Sequence, residues 1–432
     1  MDKVNLWLNT LARSHSPDFS ECLAVLGSYF PLLHDFESTE QDNEWHAEGN
    51  VAIHTNMVLK ALYQLLENNA THIHGEQRLI LILAALLHDI AKPISTVRRE
   101  INGIERVVAS RHEAMGMSYL ATRLPLLGLS QQSIESIMGL VGHHQMPKLL
   151  VIKNKGYGDY LQLALNTNLE LMYWLELADM QGRICKDKAT QIELLEQFRM
   201  FAEDYGLWEI DWSEHELLSS IQIKTSPDEQ IYTNGCGLRQ LAFNQIYQIE
   251  EAIAKNFEAS QQYSHLFLMC GVSGSGKSTW IQRNLEGVEV VSLDDIREEL
   301  NGKRECQKNK GQVLQLAKQR LKAALAKKQS IVWDATNLRT DFREMICQIG
   351  MQYNALTTIV AFQLSTDMLI KNNAKRKSSV PDKVLHQQIE RFQWPSRTEA
   401  HRMLVIDNQG VELSRHGSFS LSINTTELLN TI

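Results

Sequence analysis

The chain is 432 residues long, 44% hydrophobic and 22% charged, a length and composition that suit two or three packed domains and exclude a disordered or low-complexity chain. Its six cysteines are scattered and form no C-x-x-C pair, so neither a disulfide framework nor a zinc ribbon is indicated, and no uncharged apolar run reaches membrane-spanning length. The net charge of −8 is unevenly divided: from residue 262 onward 23 Lys and Arg face 17 Asp and Glu, whereas the preceding residues carry 20 against 34. A basic C-terminal part suits phosphate-rich ligands, and an acidic N-terminal part suits the holding of cations. The start, Met1-Asp2-Lys3-Val4-Asn5-Leu6-Trp7, lacks the basic and apolar pattern of a leader, so a reducing cytoplasm is the expected compartment.

Residues 1–205 read as almost all helix, with apolar residues recurring at three and four spacing. Gln77 to Ala91 is nearly continuous in apolar residues and predicts a buried helix, ending in His88-Asp89-Ile90-Ala91-Lys92. Three ionisable side chains at the end of such a helix require a partner or a ligand. Candidate partners recur along the chain: His54, His112, the adjacent pair His143 and His144, and Asp179. Imidazole and carboxylate together suit divalent transition metals, and an open site of this kind makes water nucleophilic near neutral pH.

The ordered set His54, His88-Asp89 and Asp179 resembles the HD phosphohydrolase superfamily. The local wording, His46-Ala47-Glu48-Gly49, His54-Thr55, Leu87-His88-Asp89-Ile90-Ala91-Lys92 and His112-Glu113, is similar to the HD domains of CCA-adding tRNA nucleotidyltransferases. That resemblance implies metal-dependent hydrolysis of phosphoesters, with 2′,3′-cyclic phosphate and 2′-phosphate ends as substrates. It makes His112 and one of His143 and His144 ligands for a second ion of the Mn²⁺, Co²⁺ or Ni²⁺ type. Lys92, with a catalytic role, and Arg183 become phosphate contacts at the edge of the metal site.

Residues 206–262 carry the weakest signal. Glu193 to Tyr205 and Leu238 to Phe257 have helical spacing, whereas Ile221 to Gly237, with Pro227, Asn234, Gly235 and Gly237, reads as a loop. The segment is expected to be a helical connector that extends the first domain.

Residues 263–432 alternate short apolar strands with amphipathic helices, the pattern of an α/β domain with a parallel sheet. Expected strands are Leu266 to Cys270, Val288 to Leu293, Ile331 to Trp333, Thr358 to Leu364 and Met403 to Ile406. The first runs into Gly271-Val272-Ser273-Gly274-Ser275-Gly276-Lys277-Ser278-Thr279, a G-x-x-x-x-G-K-[ST] P-loop. Its backbone N–H groups cradle phosphates, Lys277 reaches the β- and γ-phosphates of ATP, and Ser278 holds Mg²⁺. Further polar residues follow the second and third strands, Asp294-Asp295-Ile296-Arg297 and Asp334-Ala335-Thr336-Asn337. Asp294 also suits a helix N-cap.

This part resembles the P-loop polynucleotide 5′-kinases of phage and bacterial RNA repair, in Gly274 to Trp280, Asp294-Asp295-x-x-Arg297, Thr336-Asn337, and Asn373-Ala374-Lys375-Arg376 before Val380-Pro381. The resemblance implies that Asp294 is the general base, that Arg297, Thr336 and Asn337 bind the acceptor, and that Arg376 sits on a lid over the γ-phosphate. The spacing departs from the family at Ala335, which leaves its acidic position open. The two likenesses together imply a multidomain end-healing enzyme: an all-α HD domain followed by an α/β P-loop kinase domain with a parallel sheet. It would act on RNA or DNA ends with ATP or another NTP, off the membrane, upstream of an RNA ligase. Two readings compete: an HD nucleotidase fused to a nucleoside or metabolite kinase, and an NTP-binding switch that gates the HD domain.

Overall fold

The computed structural model describes residues 3–221, 226–304, 308–376 and 379–419. It divides into two compact units, Met1–Trp212 and Ser213–Ile432.

The first unit is a helical assembly. Its helix Val51–Asn68 starts where the Asn50 side chain accepts a hydrogen bond from the Ile53 N–H, and buries Val51, Thr55, Val58, Leu59, Leu62 and Leu66 along one face. Gly75–Leu87 is buried continuously from Arg78 to Leu87, and Leu169–Gln181, capped by Asn168, from Leu169 to Met180. Helices apolar on every side occupy the centre of a domain. The chain leaves the second of these at Gly182, where an added Cβ would lie 2.6 Å from the Val58 N. That close approach sets helix 169–181 beside helix 51–68. The unit also contains a hairpin without counterpart in the sequence reading, β1 (Thr96–Ile101) antiparallel to β2 (Ile104–Ala109). Its local signal is Asn102-Gly103, both at positive φ, which closes a two-residue turn whose twist suits the flanking strands.

In the second unit six strands, β3 (Ser264–Cys270), β4 (Glu289–Ser292), β5 (Ile331–Asp334), β6 (Ala355–Phe362), β7 (Arg402–Ile406) and β8 (Glu412–Gly417), form one sheet in the order β4-β5-β3-β6-β7-β8. All neighbours are parallel except β7 and β8. β3, β6 and β7 are buried at every residue, as expected of strands covered on both faces. The chain runs from β3 outward to β4, returns through β5, then crosses to β6 on the other side of β3. Ligands bind at the carboxyl ends of strands where the order reverses in this way, and here that place is the loop after β3.

From Ser213 on, the segment expected to extend the first domain groups with the second unit. The expected loop around Gly235 is instead the helix Pro227–Ala242, with Ser226 as its N-cap and Pro227 in its first turn. Its glycines permit close packing rather than a turn: a Cβ on Gly235 would lie 2.6 Å from the Ser418 Oγ, and one on Gly237 2.7 Å from the Ala252 Cβ. Tyr232 and Cys236 of this helix pack on Leu356 of β6. A break at residues 243–250 separates it from the helix Glu251–Gln261.

Candidate functional sites

In the first unit, five helices and the residues at their ends bring six donors into one buried cluster. His54, His88 and Asp179 form one group and Asp89, His112 and His144 another, with the ligand atoms of each group within 4.8 Å of one another. The groups meet at Asp89: its Oδ2 lies 3.2 Å from His88 Nε2 and 3.8 Å from His54 Nε2, and its Oδ1 lies 3.2 Å from His112 Nε2. Asp179 Oδ1 is 2.9 Å from His54 Nε2. Of the adjacent histidines it is His144, 1% exposed, that enters the cluster. His143 is half-buried, with its Nδ1 at the Gly139 carbonyl.

The outward nitrogen of every clustered histidine meets an acceptor. His88, His112 and His144 each place Nδ1 2.8 Å from a carbonyl oxygen three residues back, at Ala85, Ala109 and Val141, and His54 Nδ1 lies 2.9 Å from Glu48 Oε1. Donation from Nδ1 leaves Nε2 as a lone pair aimed inward. His112 and His144 then set two bare Nε2 atoms 3.2 Å apart, a contact that a cation resolves. Burial, reinforced by His112 and His88, holds the His144 imidazole neutral by pushing its pKa well below the usual range. Burial also acts to raise Asp89 and Asp179, but neighbouring charges, Lys92 among them at the first and Arg183 foremost at the second, hold both well below the usual carboxylate range. His54 Nδ1 and Nε2, His88 Nε2, Asp89 Oδ2 and Asp179 Oδ1 are buried and touch one another, Glu48 or Lys92 at ion-pair distance, but none makes a well-formed hydrogen bond among the described residues. Unpaired buried donors and acceptors are costly, and this imidazole and carboxylate set fits one or two divalent ions.

Two cations border the cluster. Lys92 Nζ lies 2.7 Å from Asp89 Oδ2 and donates to Gln41 Oε1 at 2.6 Å, and Arg183 Nη2 lies 2.5 Å from Asp179 Oδ2. Glu48, absent from the residues singled out by sequence reasoning although its motif was conspicuous, joins His46 Nδ1 at 2.8 Å, His54 and the Ile184 N–H at 2.8 Å. It ties the His54 helix to the chain leaving Asp179.

In the second unit the P-loop connects β3 to the helix Lys277–Asn284, with Gly274 and Gly276 at φ +84° and +99°, backbone that side chains rarely adopt. The Gly271 N–H donates to the Thr336 carbonyl at 3.0 Å, joining the loop to the end of β5. Lys277 Nζ folds onto the carbonyls of Gly271 and Val272, at 2.9 and 3.0 Å. Burial lowers its pKa to about 8, against the pull of Asp334. Asp334 at the β5 terminus is raised by burial despite Lys277, and feels Asp294, Asp295 and Arg376. Lys277, Asp334, Asp294 and Arg376 are thus within electrostatic reach of one another.

The other expected residues differ in their surroundings. Ser278 and Thr279 are exposed in the first helical turn, and Arg376 is exposed. The N-cap of helix Leu293–Asn301 is Ser292, whose Oγ accepts from the Asp295 N–H. Asp294 is therefore not the cap; its carboxylate is exposed and pairs with Arg297. Asn337, expected at the acceptor, is buried with its amide engaged inside: Nδ2 donates to the Met269 carbonyl at 2.6 Å and Oδ1 accepts from Trp333 Nε1 at 3.2 Å. That makes it a strut between β3 and β5. The Ser273 N–H donates to Gln388 Oε1 at 2.9 Å, a contact with no sequence signal.

A helical unit with a buried His/Asp centre and a mostly parallel α/β unit with a P-loop together define a fusion of a phosphohydrolase-type and a kinase-like domain. Family comparison agrees: residues 51–163 match the HD domain family, and residues 266–395 match an AAA domain family. Among solved structures, a gluconokinase from Sinorhizobium meliloti 1021 aligns with 39% of this chain and 89% of its own, at 17% identity and a TM-score of 0.26, a likeness that carries no further argument. Among the described residues no helix is long and apolar enough to cross a membrane.

Proposed function

We propose that the protein heals nucleic-acid ends, RNA ends foremost: the first unit opens and removes a 2′,3′-cyclic phosphate, and the second phosphorylates a 5′-hydroxyl with ATP. What supports this reading is the pairing, in one chain, of a six-donor His/Asp centre and a P-loop bordered by Asp334 and Asp294, each with its own cations. The two chemistries restore the two ends of one break, and an RNA ligase could then seal them.

In the first unit His54, His88 and Asp179 would hold one divalent ion, of the Mn²⁺, Co²⁺ or Ni²⁺ type, and Asp89, His112 and His144 a second. Such ions, when bound, supply Lewis acidity and a nucleophilic water. Lys92 and Arg183, already beside the ligand carboxylates, neutralise phosphate oxygens as charge develops. Glu48 and the three carbonyls keep each Nε2 aimed at the centre.

In the second unit the P-loop N–H groups and Lys277 bind the ATP phosphates, while Ser278 and Asp334 would hold Mg²⁺. Asp294 takes the proton of the acceptor hydroxyl as its oxygen bonds to the γ-phosphorus and ADP leaves. Arg297 holds the neighbouring phosphate, and Arg376 closes over the transferred group. Positioning and charge neutralisation carry such a transfer, with no covalent enzyme intermediate.

The test is one short RNA bearing a 5′-hydroxyl and a 2′,3′-cyclic phosphate, incubated with ATP, Mg²⁺ and Mn²⁺, with both ends read by mass spectrometry. Gain of a 5′-phosphate together with loss of the cyclic phosphate supports the reading. Unchanged RNA beside hydrolysis or phosphorylation of free nucleotides replaces it with the small-molecule alternative, and nucleotide binding without any transfer replaces it with the switch.

A further inference from the structure

The loop before helix 51–68 has two faces. Its Glu48, itself paired with His46, holds His54, while Gln41, Asp42, Asn43, Gly49 and Asn50 line a cleft of about 440 Å³ closed on its other side by the hairpin β1–β2. That volume lies within the range of small-molecule sites, about 300–1,000 Å³. Gln41 belongs to both the cleft and the metal-type centre. It is 8% exposed, its Oε1 accepts from Lys92, whose ammonium rests on Asp89, and its buried Nε2 has no acceptor among the described residues. A buried amide with two idle N–H donors is costly unless something else accepts from them.

The charge of the cleft restricts the occupant. Five carboxylates line it, on Glu37, Glu40, Asp42, Glu44 and Glu105, against two guanidinium groups. Both cations are engaged: Arg98 bridges Glu40 at 2.6 Å and Glu105 at 3.1 Å, and Arg106 bridges Asp42 at 3.0 Å and Glu44. What remains is an acceptor-rich wall of net negative charge. It suits hydroxyl and amino donors, such as those of a ribose and a base, rather than phosphates. A phosphate belongs at the other end, beside Lys92.

We propose that this cleft is the nucleoside subsite of the first unit, holding the sugar and base of a terminal nucleotide whose phosphate lies at the His/Asp centre, with Gln41 donating across the junction to an oxygen of that nucleotide. The inference rests on the phosphoesterase reading above and adds the residue and the cleft that select its substrate.

The test uses the full-length protein with Mn²⁺ and two substrates, uridine 2′,3′-cyclic phosphate, which carries a nucleoside, and bis(p-nitrophenyl) phosphate, which does not. Gln41→Leu removes the donors, and Asn43→Trp adds bulk at an exposed position of the cleft wall without touching Lys92. In both variants the loss of kcat/KM on the cyclic nucleotide is expected to exceed the loss on the aryl ester by about tenfold and to lie chiefly in KM. Equilibrium dialysis of the cyclic nucleotide against metal-free protein gives a readout independent of turnover, with binding weakened about fivefold in each variant. Equal losses on both substrates, or unchanged dialysis in Asn43→Trp, overturn the subsite. Wild-type protein that cleaves the aryl ester but neither binds nor cleaves the cyclic nucleotide leaves the metal centre standing and removes the cleft; cleavage of neither removes the phosphoesterase reading and this inference with it.

Discussion

Each imidazole of the first site is aimed by what its outer nitrogen touches, and for three of the four that partner is a backbone carbonyl supplied by the same stretch of chain. His54 differs, since it depends on the Glu48 carboxylate. Glu48→Ala leaves the His54 tautomer unselected and is expected to weaken divalent-metal affinity about 10- to 100-fold, measured by metal titration of the full-length protein. Unchanged affinity would show that Glu48 orients nothing. A second residue-scale expectation concerns Lys277, whose ammonium burial brings to about 8. The negative charge of bound ATP raises that pKa again, so binding takes up a proton and weakens as pH rises through about 8. Calorimetry is expected to show ATP affinity falling about tenfold between roughly pH 7 and 9.5, and Lys277→Met to be flat across that range.

At the scale of elements, each site depends on a contact between elements, a close backbone approach in the first unit and a side-chain strut in the second. A Cβ at position 182 would lie 2.6 Å from the Val58 N and 2.8 Å from its Cα, atoms that no side-chain rotation can move aside. Gly182→Ala therefore pushes the Asp179 helix from the His54 helix, with an expected cost of about 1–3 kcal/mol and a loss of metal binding. Thermal unfolding and metal content check both; full metal binding at wild-type stability would refute the packing argument. In the second unit Asn337 holds β3 to β5 below the P-loop, and Asn337→Ala leaves the Met269 carbonyl and the Trp333 indole N–H buried without that partner. The expected loss is about 1–3 kcal/mol of stability. Residual ATP binding by the folded fraction would separate this strut from a direct acceptor contact.

For the whole molecule, the two centres lie in separate compact units, one an imidazole and carboxylate set and the other a P-loop. Asp89→Ala in the full-length chain is expected to lower phosphoesterase turnover by more than about a hundredfold with kinase turnover unchanged, and Lys277→Ala to do the reverse. Loss of both activities in either variant would contradict independent sites. After treatment with EDTA, Mg²⁺ alone should restore the kinase, while the phosphoesterase should require a borderline metal, because imidazole ligands favour Mn²⁺, Co²⁺ or Ni²⁺ over Mg²⁺.

Both sites were legible where chemistry is encoded by neighbours in the chain. A P-loop is one strand, one turn and one helix in succession, so Gly271 to Thr279 announced it without tertiary context, and the His88-Asp89 pair stood out at the end of an unbroken apolar helix. The α/β character of the second unit was equally open, since strands covered on both faces are written as apolar runs. What the chain order left undecided are relations between distant elements. His143 and His144 sit about 100° apart around the end of one helix, and only the packing of that helix selects His144. The glycines at 235 and 237 are turn formers by composition, yet they lie within a helix, at places where atoms of Ser418 and Ala252 leave no room for a Cβ. Glu48, Asp334 and Gln41 acquire their positions in the same way, from partners supplied by other elements. The sequence by itself determined which chemical groups are present and the local frames that carry them; the tertiary structure decided which of those groups meet, because burial and contact distance are properties of packed elements and not of their order.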